Sequence, residues 1–251
     1  MKKLTKEDIS QEVFDLYDDY AHNKIERRQF IEKLSLFAIG SLTVPSLLSF
    51  MTPNYVDSIT IKPDDPRIKS EYITYQSPKG GGAIKGLLSQ PTKTKKKLPG
   101  IIVVHENRGL NPYIEDVGRR AATEGFITAY EYLKSHNNCN GYVGVVGFCF
   151  GGWISNMMAV KIPTLSAAVP YYGGQPSAVE AENITTPIML HYAGLDTRVN
   201  EGWPAFEAIL KKNKVEHTAY FYPGVNHGFH NNTTPRYDEA AATLSWTRTL
   251  D

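Results

Sequence analysis

The apolar run Tyr142 to Val146 leads straight into Gly147-Phe148-Cys149-Phe150-Gly151-Gly152, and an apolar stretch with helical character follows. No other stretch constrains the chain as strongly. That order reads as a strand, a sharp bend and a helix. The glycines two residues either side of Cys149 permit a strained backbone, and such a bend lifts its central side chain clear of the main chain. The lifted group here is a thiol. A lone cysteine is ordinarily a small core hydrophobe, but the flanking glycines and the strand before them favour a nucleophile at Cys149.

The rest of the chain supplies a frame for that bend. Leu98 to Val104 suits a buried parallel strand, and Asn111-Pro112 offers an N-cap and first-turn proline for a helix reaching about Glu124. Ser166 to Pro170, Pro187 to Tyr192 and His217 to Tyr222 read as further strands. Between the last two, Trp203, Phe206, Ile209 and Leu210 repeat with helical period in a helix from about Glu201 to Lys212, and Arg236 to Leu250 is helical in pattern. Upstream, Glu71 to Gln76 and Ala83 to Ser89 form a hairpin around the glycine-rich Lys79 to Gly82, and Lys93 to Lys97 is a solvated turn. Alternating strands and helices imply an α/β fold: a doubly wound, mostly parallel sheet with its site at the carboxyl ends of the strands.

Composition narrows the partners. With 251 residues, 41% of them hydrophobic, the chain can bury one catalytic domain plus extensions. Its 27 basic and 26 acidic residues leave a net charge of +1, so no global field recruits nucleic acid or an anionic membrane, and the expected partner is a small molecule. The only cysteines, Cys139 and Cys149, make neither a disulfide framework nor a zinc motif. Cys139 reads as a turn residue without a role. Oligomeric state is not encoded legibly.

Residues 1 to 33 are highly charged with scattered apolar positions such as Val13, Leu16 and Ile25, which reads as a helical extension. Leu34 to Phe50 is uncharged and mostly apolar, and Arg27-Arg28-Gln29-Phe30-Ile31 precedes it. This resembles a twin-arginine export signal, implying a periplasmic protein. Acidic residues in the n-region, Glu32 within the motif and the lack of an Ala-x-Ala site count against that signal; the alternative is an uncleaved amphipathic helix leaning on a cytoplasmic domain. Any membrane contact would run through residues 34–50, which are short for a span. Residues 51 to 70, with Pro53, Pro63 and Pro66, read as a linker, placing the catalytic domain at 70–251.

Cys149, Asp196 and His227 each lie just beyond an expected strand, in the order nucleophile, acid, histidine found in α/β-hydrolases. The chemistry needs all three. A thiol is largely protonated near neutral pH, so an imidazole must take its proton and a carboxylate must fix the imidazole's tautomer. The tetrahedral intermediate needs oxyanion donors, which map to the backbone N–H of Phe150 and the Glu106-Asn107 region. Read singly, Asp196 could cap a turn, His227 could be an ordinary loop residue and Glu106 could pair with Arg108.

Gly147 to Gly152, Val103-Val104-His105-Glu106-Asn107, Tyr171-Tyr172-Gly173 and the His227 loop together resemble the dienelactone hydrolase family over roughly residues 70 to 251. The resemblance implies that Glu106 helps activate the cysteine, that Asn107 provides the second oxyanion donor, and that the substrate is a cyclic enol-lactone or related ester. A thioesterase or acyl transferase would use the same residues. His227 and His230 are spaced like zinc ligands but lack a third, so neither metal nor cofactor is expected.

The pattern breaks at one place. Between Gly125 and Tyr142 only residues 126–141 stand where the family has a strand, a loop and a full helix; a parallel crossover needs about 10 to 12 residues at the least. Phe126 to Tyr130 suits a strand and Thr128 to Ser135 a helix end, as if the start of one element were joined to the end of the next. An internal deletion is the expected cause, and a non-catalytic remnant the rival reading it raises. The family's carboxylate-binding arginines lack counterparts as well, with Asn231 at one of their positions. The last helix ends at Asp251 on an unfinished pattern, which reads as a shortened C-terminus.

Overall fold

The computed structural model describes residues 4–40, 42–55, 58–77, 82–94, 96–124, 126–128, 133 and 136–251. Its centre is one eight-stranded sheet in the order β1-β2-β4-β3-β5-β6-β7-β8. The strands are β1 (Ile68–Ser77), β2 (Gly82–Pro91), β3 (Leu98–Val104), β4 (Ile127–Thr128), β5 (Cys139–Phe148), β6 (Ala167–Tyr171), β7 (Ile188–Ala193) and β8 (His217–Tyr222). β1 and β2 pair antiparallel; from β4 across to β8 every pairing is parallel.

Alternation along the strands divides the core. Ile101 and Val146 face α4 (Pro112–Thr123) and α9 (Glu239–Leu250), while Ile102 and Val145 face α5 (Phe150–Lys161), α6 (Ala178–Ala181), α7 (Thr197–Asn200) and α8 (Trp203–Lys212). Helices therefore cover both faces, as the alternating pattern requires. Asn111 caps α4 by accepting from Tyr113 and Ile114 N–H at 3.0 and 3.2 Å. The final helix begins at Glu239, three residues after the expected start, because Asp238 caps it. Cys139 is a correction: it opens β5 and is buried in the core.

The expected break falls around β4, and the residues that follow Thr128 lie largely outside the described ones. Thr128 pairs with Ser89 of β2 and Ile101 of β3, and beyond it a cavity of about 410 Å³ opens between those strands. Ile84, Leu87, Ile102, Ile114, Ile154 and Met158 line it. The helix-end reading of 128–135 and the glycine-rich loop at 79–81 fall largely outside the described residues.

The N-terminal segment is folded onto the sheet domain. α1 (Gln11–Ala21), α2 (Arg27–Ser35) and α3 (Val44–Met51) bury Val13, Phe14, Leu16, Phe30, Leu34, Leu47 and Met51 in a small core of their own. The apolar stretch 34–50 is therefore divided between two helices: α2 stops at Ser35, and Thr43 caps α3 by accepting from Ser46 N–H at 3.2 Å. Among the described residues no helix is long and apolar enough to cross a membrane. The expected linker is also pinned, because Asp116 accepts from Thr60 and Ile61 N–H at 3.1 and 2.6 Å, and Arg119 donates to the Ile61 carbonyl at 2.6 Å.

Polar contacts fasten α1 to the sheet domain. Gln11 donates to Asn226, Arg108 to the Tyr17 hydroxyl, Asn107 to the Ala21 carbonyl, and Arg236 to the Asp18 carboxylate. The Asp18–Arg236 pair is nearly closed to solvent, with side-chain exposures of 11% and 10%. Burial works against the Arg236 charge, and Asp18 more than offsets it. Truncating one partner leaves the other charge buried alone. Arg236→Ala should therefore destabilise the protein by ~3 kcal/mol, read in thermal melts as a Tm lowered by ~6–12 °C; adding Asp18→Ala should recover part of that loss.

Candidate active site

Cys149 sits where β5 turns into α5, with φ 58° and ψ −113°. A non-glycine residue at positive φ is a strained conformation that its surroundings must enforce. Here Cys149 N–H donates to the Tyr171 carbonyl at 3.0 Å and the Cys149 carbonyl accepts from Trp153 N–H at 3.1 Å. The backbone before and after it is packed too closely for side chains. A Cβ on Gly147 would lie 1.9 Å from the Gly151 carbonyl oxygen, and one on Gly151 would lie 2.3 Å from the Val104 carbonyl oxygen.

Asp196 and His227 come to this bend from the ends of β7 and β8. Asp196 caps α7, accepting from Val199 N–H at 3.3 Å, and its other oxygen lies 2.6 Å from His227 Nδ1. A carboxylate only accepts, so Nδ1 carries the proton and Nε2 is turned inward. Nε2 is buried without a hydrogen-bond partner, and the His227 ring brings a nitrogen within 4.8 Å of Cys149 Sγ. Arg198, 3.8 Å from Asp196, adds positive charge.

Opposite charges offset burial here. Burial pushes the Cys149 thiol up, but the charge of His227, the hydrogen bond to His22 and the charge of His22 bring it down to about 5. Burial pushes His227 down, and the negative charges of Asp18, Cys149 and Asp196 raise it to about 10. Asp196 is held below its ordinary value: burial opposes its charge, and His227 more than compensates. The site thus favours a thiolate facing an imidazolium at neutral pH.

Glu106 lines the same small cavity, but not as a partner of Arg108. Its carboxylate accepts from Asn231 Nδ2 at 2.7 Å and from the Tyr172 hydroxyl at 3.4 Å. Burial and then the adjoining thiolate raise it to about 7, with Asn231 pulling the other way. The Asn107 side chain is engaged with α1, and the Phe150 ring is part-exposed beside His105 and Trp153. His230 is turned away from His227 into the core, where its Nδ1 lies 2.9 Å from the Tyr113 hydroxyl and burial holds it near 3.

The sequence reading did not identify His22, Asp18 or Arg236 as site residues. All three line the cavity beside Cys149, and His22 Nε2 is 3.1 Å from the sulfur. The only local signal for Asp18 and His22 is the amphipathic pattern of α1 around Val13 and Leu16, and Arg236 has none. The cavity left between α1 and the thiol is about 30 Å³, space for roughly one or two waters and not for an ester.

The sequence model of the dienelactone hydrolase family matches this chain at residues 84–130 and 127–251. The two matched pieces meet at the short β4 crossover. A separate family described as YqhI-like matches residues 1–39. An Aquifex pyrophilus protein, usf, is 30% identical over 219 residues, covering 68% of this chain and 93% of the relative. An Escherichia coli K12 sequence described as a hydrolase fragment, YghX, is 50% identical over 86 residues, or 34% of this chain and 74% of the relative. A Saccharolobus solfataricus protein named as a carboxymethylenebutenolidase is 30% identical over 163 residues; the match spans 64% of this chain and 59% of that relative. Among solved structures, a dienelactone hydrolase-like promiscuous phosphotriesterase from metagenomic libraries superimposes with a TM-score of 0.64 at 21% identity, covering 73% of this chain and 96% of the other.

Proposed function

Because the chain belongs to the dienelactone hydrolase family, we propose that it hydrolyses a small carboxylic ester or lactone with Cys149 as nucleophile, His227 as acid and base, and Asp196 as the group that orients His227. One observation carries this reading: His227 Nδ1 is fixed by Asp196 at 2.6 Å while its buried, unpartnered Nε2 faces a sulfur lifted by the β5–α5 bend.

The thiolate attacks the acyl carbon, forming the C–S bond, and the carbonyl oxygen becomes an oxyanion held by the backbone N–H groups of Phe150 and Asn107. Collapse breaks the C–O bond, and His227 Nε2–H gives its proton to the departing alkoxide. A water then attacks the thioester as His227 takes one of its protons. The acid leaves, and the thiolate and imidazolium are restored. Glu106, buried beside the sulfur and held by Asn231, keeps charge close to the thiol without competing for His227. In a lactone, the leaving alkoxide stays tethered to the acyl group until hydrolysis.

Substrate must displace the α1 end of the N-terminal segment, because the 30 Å³ cavity cannot admit an ester. This gives residues 4–55 a place in the working enzyme, in a cytoplasmic protein or in an exported one whose segment is retained. Intact mass of the purified native protein tests it; loss of the segment contradicts it.

The reactive form is the thiolate with its imidazolium. Below about 5 the thiolate is protonated, and above about 10 His227 loses the proton the leaving group needs. In metal-free buffer, kcat/KM for p-nitrophenyl acetate, corrected for spontaneous hydrolysis, should rise through the lower value, hold a plateau and fall through the upper one. An acid limb near the ordinary thiol value would contradict the preformed ion pair.

A further inference from the structure

Two imidazoles and one sulfur meet at the bend, and one of the imidazoles comes from outside the triad. His22 closes the C-terminal end of α1, with Nδ1 2.7 Å from the Asp18 carbonyl oxygen and Nε2 3.1 Å from Cys149 Sγ. A carbonyl can only accept, so His22 Nδ1 carries a proton. His227 repeats the arrangement, with Nδ1 on the Asp196 carboxylate and Nε2 facing inward. One ring nitrogen of His22, one of His227 and Cys149 Sγ all lie within 4.8 Å of one another.

Hydrogen bonding completes this cluster only when both imidazoles are protonated around the thiolate. With a single proton shared among the three, it bridges the sulfur to one nitrogen and leaves the other lone pair facing sulfur without a donor. A cation satisfies both nitrogens and the sulfur together. Backing each imidazole through Nδ1–H on a carboxylate or carbonyl is also how metal-ligating histidines are oriented. Two imidazoles and a thiolate favour a borderline-soft ion over magnesium or calcium, with tetrahedral geometry leaving one position for water. The small adjoining cavity supplies that position.

We propose that His22, Cys149 and His227 form a binding site for a zinc-like divalent metal ion, assembled only when α1 is docked over the bend. The pair His227 and His230 that the spacing suggests is not the site, because His230 turns into the core; the partners of His227 are Cys149 and His22, 127 positions before the cysteine. Binding draws the nitrogens and sulfur together, expels the shared proton to solvent and sheds most of the ion's waters. The site needs only its three donors. Its consequence, a blocked nucleophile and α1 tied over the entrance, rests on the hydrolytic reading above.

The test is titration of metal-free, full-length protein with Co²⁺. The expected result is one ion per chain, near-ultraviolet thiolate-to-cobalt absorption, tetrahedral visible bands, and displacement of the cobalt by Zn²⁺. Cys149→Ser should abolish the charge-transfer absorption, and His22→Ala should weaken binding by ~10-fold or more. Melts in chelator check that the variants fold, with His22→Gln as the second variant if His22→Ala does not. No charge-transfer band in the parent, or parental affinity in a folded His22 variant, overturns the site. Hydrolysis of p-nitrophenyl acetate in excess chelator is read separately. Hydrolysis without cobalt binding refutes the metal site alone, and cobalt binding without hydrolysis upholds the site and refutes the enzyme mechanism.

Discussion

Cys149→Ala should lower kcat/KM for p-nitrophenyl acetate by ~10⁴-fold or more, because members of a nucleophile–base pair act as a unit and removing one forfeits covalent catalysis. The substitution removes one sulfur atom from a buried position, so the fold should persist and the melting curve should stay close to the parent's. His227→Ala should fall to a similar level, and the double variant should lose little more. That non-additivity separates a working pair from two residues that independently shape the pocket. Cys149→Ser keeps the shape but replaces a thiol lowered to about 5 with an alcohol that this site cannot ionise, so it should resemble Cys149→Ala. Activity near the parental level in either cysteine variant, with purity established, would remove the sulfur from the reaction.

Gly147→Ala should be the most damaging methyl among the described glycines. The added carbon would stand 1.9 Å from the Gly151 carbonyl oxygen and 2.5 Å from the Ser155 hydroxyl, and the first of these is backbone that cannot rotate away. Relief requires pulling α5 off β5, which also moves Cys149. The expected cost is ~5 kcal/mol or more, in the range reserved for severe core disruption; little soluble protein, or a Tm lower by ~10 °C or more, is the readout. Gly109→Ala is the control. Gly109 has φ +71°, and a methyl added there would meet nothing within 4 Å, so that variant should bear backbone strain alone, ~1–2 kcal/mol. Equal losses from the two variants would contradict the steric account of the bend.

How far the sequence spoke depended on whether a signal was local. Cys149, Asp196 and His227 were legible because each follows a strand in a fold that places strand ends together, so chain order stood in for geometry. The shortened crossover was legible too, since counting residues between Gly125 and Tyr142 needs no coordinates. The two pieces of the chain that the family model matches, 84–130 and 127–251, meet in that interval. The role of α1 was not legible. Asp18 reaches Arg236 across 218 positions and His22 reaches Cys149 across 127, and nothing near either residue announces its partner. Arg236 in particular enters the site from a position no motif marks, while Asn231 holds Glu106. The division of the apolar stretch 34–50 was not legible either, because hydropathy alone does not see that Thr43 starts a new helix.

The most direct test of the central claim is to trap the acyl-enzyme. Metal-free protein mixed with excess p-nitrophenyl acetate, acid-quenched within the first turnover and digested, should carry one acetyl group per chain on the peptide containing Cys149. The label should appear as fast as the burst of p-nitrophenolate and be absent in Cys149→Ala. Sustained turnover with Cys149 unlabelled at every quench time, or with the acetyl group on another residue that supports the same rate, would contradict the account.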